Sequence, residues 1–259
     1  DRIDILEIQR ELIKKIIPSI KSLIKKNKIE ITTSPYFHPI LPILLDFKNV
    51  KKNPMPNGDS PEMNTQIDAE LQTKMALDRI EEVFGKRPQG IWPSEHCVSP
   101  KTLDMFSKLG VKWTISDEGI LANSINFEFE HDFKGYISEP YHLLKSYKVK
   151  TENSDIKMIF RESTIPNLIS FEYQNHNPEA TANDLYDRIK IIQSKILSSP
   201  DQEHLLTIAL DGENCWENYP QNSDSFLQIL YSLISEDETL ETVLISDYLD
   251  NAKEYKPLN

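Results

Sequence analysis

The sequence predicts an α/β fold, a parallel sheet covered by helices. Three observations lead there. Short apolar, β-branched segments alternate with longer segments of helical period along the 259 residues. Ser-Pro pairs stand at the heads of two of those helical segments, with serine as N-cap and proline in the first turn. Carboxylate-bearing motifs follow apolar strands, and sites in such folds lie at the C-terminal ends of strands.

The elements follow in order. Residues 3–27 read as a helix, because Ile5, Ile8, Leu12, Ile16, Ile20 and Leu23 recur every three or four positions. Pro18 should kink it, and Lys21, Lys25, Lys26 and Lys28 favour its C-terminal end. Residues 29–33 alternate and read as a strand, ending in an extended loop, Ser34-Pro35-Tyr36-Phe37-His38-Pro39. Residues 48–60 read as a surface loop. Ser60-Pro61 opens a helix whose Ile67, Leu71, Leu77, Ile80 and Phe84 face the core and which Gly85 closes. Gly90-Ile91-Trp92 is a short apolar piece. A helix from Ser99-Pro100 to Gly110 follows, then a strand at 111–115. Residues 117–140 read as a long loop. Segments 146–150 and 156–160 suit a hairpin around Asn153-Ser154. Residues 165–173 and 179–198 are helical, 205–210 a strand, 223–235 a helix, 241–245 a strand and 246–251 a last helical turn.

Composition excludes some functions. There are 29 basic and 41 acidic side chains, a formal charge of −12, which argues against a phosphate-tracking surface and so against nucleic acid as a partner. The 7 glycines are too sparse to write a G-x-G-x-x-G or a Walker loop. No apolar run approaches the roughly 18–20 residues of a membrane span, so no membrane partner is expected. The start, Asp1-Arg2-Ile3-Asp4, is neither an initiator Met nor a signal peptide and reads as a chain cut from something longer. Cys97 and Cys215 form no C-x-x-C or Cys/His cluster, which argues against structural zinc but leaves a disulfide open. His131, His142, His176 and His204 show no ligand spacing, so no metal site is expected.

Two strand ends carry the chemistry. One is Gly90-Ile91-Trp92-Pro93-Ser94-Glu95-His96, the other Leu210-Asp211-Gly212-Glu213-Asn214-Cys215-Trp216-Glu217. Each sets a carboxylate just past an apolar strand beside a tryptophan. Glycosidic cleavage uses two carboxylates, one to attack or stabilise the sugar cation and one to protonate the leaving oxygen. The Trp92 and Trp216 indoles suit stacking against sugar rings or packing in a core. Trp113, inside a strand, suits the core. Asp117 and Glu118 follow that strand as candidate cleft residues, whereas Asp, Glu and Asn after a strand also serve as helix caps.

The segment Glu30–Pro42, with Ser34-Pro35-Tyr36-Phe37-His38-Pro39 at its centre, resembles the second motif region of glycoside hydrolase family 57. Trp92-Pro93-Ser94-Glu95 resembles that family's nucleophile motif, and Leu210-Asp211-Gly212-Glu213-Asn214 its acid/base motif. Lys112–Glu118 and Phe160-Arg161-Glu162…Phe171 match stretches between them, in order along the chain. The resemblance implies an incomplete (β/α)7-type barrel, here one partial catalytic domain over residues 1–259, truncated at both ends. The family's first motif, His-Gln-Pro, and its fifth are absent, and Asn27 stands where many members have glycine.

The resemblance also implies a retaining enzyme acting on α-glucans or maltooligosaccharides by hydrolysis or transglycosylation. No cofactor and no metal is required. Glu95 is then the nucleophile and Asp211 the general acid/base. His38, Tyr36, Trp92, Trp216, Asp117 and Glu118 are candidate substrate-binding residues. A retaining pair should stand about 5–5.5 Å apart. Two other readings fit parts of the pattern. One is a metal-dependent carbohydrate deacetylase or mannosidase on a similar barrel; the other is a non-catalytic α-glucan-binding module.

Overall fold

A computed structural model describes residues 2–46, 65–197, 203–211 and 216–258. The 48–60 loop, the Ser60-Pro61 helix start and Gly212–Cys215 lie outside the described residues. The architecture is mixed α/β. Five strands, β1 (Gly90–Ile91), β2 (Trp113–Asp117), β3 (Tyr147–Val149), β4 (Ile156–Arg161) and β5 (Lys256–Leu258), form a sheet of order β1-β2-β4-β3-β5. Among the described residues the sheet is open. No described helix is long and apolar enough to cross a membrane.

The chain divides into two compact units. The first comprises residues 1–114, 150–157 and 244–251. It opens with α1 (Arg2–Lys25), and Asn27 follows in the left-handed region at φ 52°, which asparagine tolerates. The periodicity marks the helix correctly but not a buried face: none of its side chains is buried, and Ile5, Ile8, Leu12 and Ile16 are exposed. After it comes a short helix that the sequence reading left out, α2 (Leu41–Asp46), then α3 (Gln66–Phe84). Gly85 closes α3 as expected, at φ 78°, its N–H donating to Glu81 O. The core face of α3 is the expected one only in part: Leu77 is buried, and Ile80 and Phe84 are half-buried. Ile67 and Leu71 point outward, and Ala69, Thr73, Ala76 and Leu77 are buried. Both stripes have helical period, so period alone does not choose between them. Ser99 caps α4 (Pro100–Lys108) by accepting from the Thr102 N–H.

Parallel pairing in this unit is tight. Gly90 and Ile91 of β1 register with Trp113 and Thr114 of β2. The expected strand at 29–33 is extended chain that pairs through one parallel bridge, Thr33 with Ile91. The expected strand at 241–245 is not one. Residues 241–244 are irregular, and α9 (Ile245–Asn251) begins where the strand should end. The reason is a distant cap. The Ser246 N–H donates to Glu30 Oε2 at 3.0 Å and the Ser246 hydroxyl donates to Glu30 Oε1, so a carboxylate from the chain's start satisfies a helix N-terminus near its end. Trp113, buried as expected, donates its indole N–H to Ser246 Oγ at 2.9 Å.

The second unit comprises residues 115–149, 158–243 and 252–259. Here the expected long loop at 117–140 contains α5 (Glu118–Ile125). Asp117 caps it by accepting from the Gly119 N–H, and Asn126 ends it at φ 52°. The strands expected around Asn153-Ser154 are present as β3 and β4, neighbours in the sheet, and β3 also pairs in parallel with β5, an unexpected strand. The expected strand at 205–210 shrinks to one parallel bridge, Thr207 with Arg161. The helices expected at 165–173, 179–198 and 223–235 are present. They are α6 (Thr164–Asn167), continued by a π-helical turn at Leu168–Glu172, then α7 (Pro178–Ile196) and α8 (Asp224–Glu236).

Gly90 packs face-on against the Trp113 ring, and a Cβ there would fall inside the indole. The indole is buried and tethered to Ser246, so it has nowhere to move. Gly90→Ala should therefore destabilise the fold by about 1–3 kcal/mol, as overpacking does. Urea titration of variant and wild type measures the difference, and equal midpoints would contradict this packing.

Candidate active site

Two loops leave the C-terminal ends of adjacent parallel segments in the first unit. Thr33 bridges Ile91, and the Trp92 N–H donates to Thr33 O at 2.8 Å. The loop after Thr33 carries Tyr36, Phe37 and His38; the loop after Ile91 carries Trp92, Glu95 and His96. The register therefore places His38 and Glu95 side by side, although 57 positions separate them in sequence. His38 Nε2 stands 2.9 Å from Glu95 Oε1, the distance of an imidazole N–H donating to a carboxylate.

Trp92 joins them. Its ring lies 5.5 Å from the His38 ring, tilted by 45°, and 5.5 Å from the His96 ring, edge to face. Its indole N–H donates toward the His96 ring, 3.2 Å from Nε2. Tyr36 and Phe37 are exposed and meet edge to face with centroids 4.9 Å apart.

The backbone here is unusual. His38 (φ 55°), Glu95 (φ 54°) and His96 (φ 57°) are all left-handed and none is glycine. Each costs roughly 1–2 kcal/mol against ordinary conformations. The His38–Glu95 pair cannot offset that. Its side chains are 48% and 62% exposed, and an exposed ion pair contributes about 0–1 kcal/mol. The compensation comes from burial beside the strained residues, where Ile91, Ser94 and His96 are almost wholly covered. The Ser94 hydroxyl is buried there without a hydrogen-bond partner among the described residues. Strain of this kind collects where a side chain has to be aimed. The turn at Ser94–His96 aims Glu95 outward while its neighbours on both sides are buried.

The other expected site residues belong to the second unit. Asp211 is exposed and follows extended chain whose Thr207 bridges Arg161. Arg161 holds that chain, donating from Nη1 to Ala209 O at 3.0 Å and from Nε to Asp117 Oδ2 at 2.8 Å. Asp117 thus spends one oxygen on Arg161 and the other on the Gly119 N–H, so it is a helix cap and an arginine anchor rather than an open cleft group. Glu118 turns inward. It is buried beside His131 and Glu162, and Ser163 N–H and Oγ–H both donate to its Oε2 at 3.3 Å. Burial pushes the Glu118 carboxyl above its ordinary range, and the Glu162 charge adds to this, against the lowering by His131 and Ser163. Trp216 is half-buried, its ring 5.5 Å from Tyr219 and 6.4 Å from Phe226, so one face at least packs on protein.

Sequence reasoning missed Arg161 as the residue that anchors the approach to Asp211. It also missed the Glu118–His131–Glu162 cluster, because no spacing rule links three residues from three segments. Cys97 has a free thiol, and Cys215 lies outside the described residues.

The chain is a mixed α/β protein that brings a carboxylate, a histidine and a tryptophan together at the ends of adjacent parallel segments, and comparison gives its family. The model of glycosyl hydrolase family 57 matches residues 4–258, and the chain belongs to that family. A search of curated proteins finds no match. Among solved structures the chain is similar to an α-amylase from Thermotoga maritima, with TM-score 0.70 and 13% identity over 99% of this chain and 55% of that one. It is also similar to a branching enzyme from Pyrococcus horikoshii, with TM-score 0.69 and 14% identity over 99% of this chain and 51% of that one. A 4-α-glucanotransferase from Thermococcus litoralis gives TM-score 0.65 and 16% identity over 98% of this chain and 33% of that one. The chain thus spans between a third and about half of the length of these three proteins.

The Glu95 charge has a readable neighbour. Burial pushes the Cys97 thiol above its ordinary range, and the Glu95 carboxylate pushes it further. A raised pKa means less thiolate at a given pH, so alkylation should begin at higher pH than for a free thiol of about 8.5. In a Cys215→Ser background, Glu95→Gln should shift the pH–rate curve for iodoacetamide downward. An unmoved curve would mean that the Glu95 charge does not reach the thiol.

Proposed function

We propose that the protein is a retaining α-glycosidase acting on α-glucans or maltooligosaccharides, with Glu95 as nucleophile and Asp211 as general acid/base. The observation that carries this reading is the His38–Glu95 pair, set on left-handed backbone at the ends of adjacent parallel segments. Family membership supports it, and so does the fold likeness to an amylase, a branching enzyme and a glucanotransferase. The fold reading that goes with it extends the observed sheet, with its bridging segments at Thr33 and Thr207, to a (β/α)7-type barrel.

The chemistry follows from the groups. Glu95 is exposed, and His38 holds one of its oxygens, leaving the other to attack the anomeric carbon. As the glycosyl–oxygen bond breaks, Asp211 gives its proton to the leaving oxygen. A water or a sugar hydroxyl then gives its proton to Asp211 as its oxygen attacks the anomeric carbon, and the bond from that carbon to Glu95 breaks to restore the carboxylate. Water gives hydrolysis and a sugar hydroxyl gives transglycosylation. Half-buried Trp92, its ring 5.5 Å from that of His38, and exposed Tyr36, two residues before His38, offer aromatic faces to sugar rings, and Trp216 does so from any face that Tyr219 and Phe226 leave open.

The test is an assay of the protein on maltooligosaccharides with reducing-end analysis. Glu95→Gln and Asp211→Asn should each lower kcat by about a thousandfold or more. His38→Ala should lower kcat more than it raises KM, because His38 orients the nucleophile. The first product should keep the α-anomeric configuration. Unimpaired turnover in either carboxylate variant, or an inverted first product, would defeat the assignment.

A further inference from the structure

Three segments of the second unit meet at a buried cluster that the proposed glycosidase does not use. Glu118 follows β2, Glu162 follows β4, and His131 comes from the irregular stretch beyond α5, next to its antiparallel bridge with Ile137. One ligand atom from each lies within 4.8 Å of both others. His131 Nε2 stands 3.6 Å from Glu118 Oε2 and 3.4 Å from Glu162 Oε1. Nε2 is buried and makes no hydrogen bond among the described residues.

The distances decide what kind of cluster this is. An imidazolium paired to a carboxylate closes to about 2.7–2.9 Å on at least one side. Here the nitrogen stands back from both oxygens. Two ligands of one tetrahedral ion, with bonds of about 2.0–2.2 Å, stand roughly 3.3–3.6 Å apart. The observed separations fall in that range. The carboxylates are also oriented from behind. Ser163 donates twice to Glu118, and the Ile165 N–H donates to Glu162 Oε2 at 2.6 Å. Such outer hydrogen bonds fix ligand direction in metal sites.

We infer that Glu118, His131 and Glu162 bind one divalent transition-metal ion of the zinc class. One imidazole nitrogen among the ligands selects against calcium and magnesium, which take six or more oxygens or keep their waters. Three protein ligands leave a fourth position for water. His131 coordinates through Nε2, so its Nδ1 carries the proton. The ion ties the stretch that carries His131 to the ends of β2 and β4. None of this requires Glu95 or Asp211, so the inference stands or falls apart from the glycosidase reading.

The experiment uses the whole chain, stripped with chelator and then titrated with Zn2+ alone in excess Mg2+. Calorimetry should give one Zn2+ per chain, and the melting temperature should rise with added Zn2+. His131→Ala and Glu162→Gln should each weaken binding by at least tenfold while the far-ultraviolet circular dichroism stays that of the wild type. Co2+ added to the wild-type chain should give the visible absorption of a four-coordinate site, a readout that needs no variant to fold. Overturning results are no stoichiometric uptake by the folded wild type, no such Co2+ band, or uptake that survives loss of His131 and Glu162.

Discussion

The candidate site rests on one backbone register, Thr33 against Ile91 and Ile91 against Thr114. Neighbouring strands stand about 4.8 Å apart, so two loops leaving the same edge begin within reach of each other. The register also decides which way each side chain faces. A slip of one residue would turn Trp92 from one face to the other and separate His38 from Glu95. Several bonds resist that slip. The Trp92 N–H donates to Thr33 O, and the Thr114 hydroxyl donates to Ile91 O. Gly90 admits the Trp113 ring at the distance that the pairing needs, and Ser246 and Glu30 hold that ring from behind. A chain of contacts from Glu30 to Ser246 to Trp113 to Gly90 thus fixes β1, and β1 fixes where Glu95 emerges.

Energetics say which part of this arrangement is support and which is function. Two consecutive left-handed residues at Glu95–His96 and a third at His38 together cost several kcal/mol on ordinary scales. The exposed pair between His38 and Glu95 recovers at most about 1 kcal/mol. A turn built for stability alone would put glycine or asparagine here, as the chain does at Gly85, Asn27 and Asn126. Glutamate in that conformation is explained by where its carboxylate points.

Legibility in the sequence divided along the range of the forces involved. Local signals held, as at the Ser99-Pro100 cap, the Gly85 terminus and the left-handed Asn27. Helical period located α1, α3, α7 and α8 but did not say which face of α3 is buried, or that α1 buries none. Failures came where a distant group overruled a local preference. Glu30 turned an apparent strand at 241–245 into the start of a helix, and Asp117 capped α5 inside what reads as loop. The strand-end motifs pointed to Glu95, Asp211 and His38 because the signal lies in short runs of sequence, and the structure sets His38 against Glu95. Arg161 and the cluster at Glu118 escaped because their meaning depends on partners from other segments.

The protein handles its glutamates in two opposite ways. Glu95 is exposed, held at one oxygen by a histidine that is itself half in water, and its charge is inexpensive because solvent shares it. Glu118 and Glu162 are almost wholly covered, with hydrogen bonds from Ser163 and Ile165 aimed at their oxygens. A buried carboxylate pair is costly unless something positive shares the space, and partial satisfaction is worse than none. His131 offers that pair a nitrogen that bonds to neither oxygen. The same residue type therefore stands open to solvent in one unit. In the other it is covered by protein, beside an imidazole nitrogen that bonds to neither carboxylate.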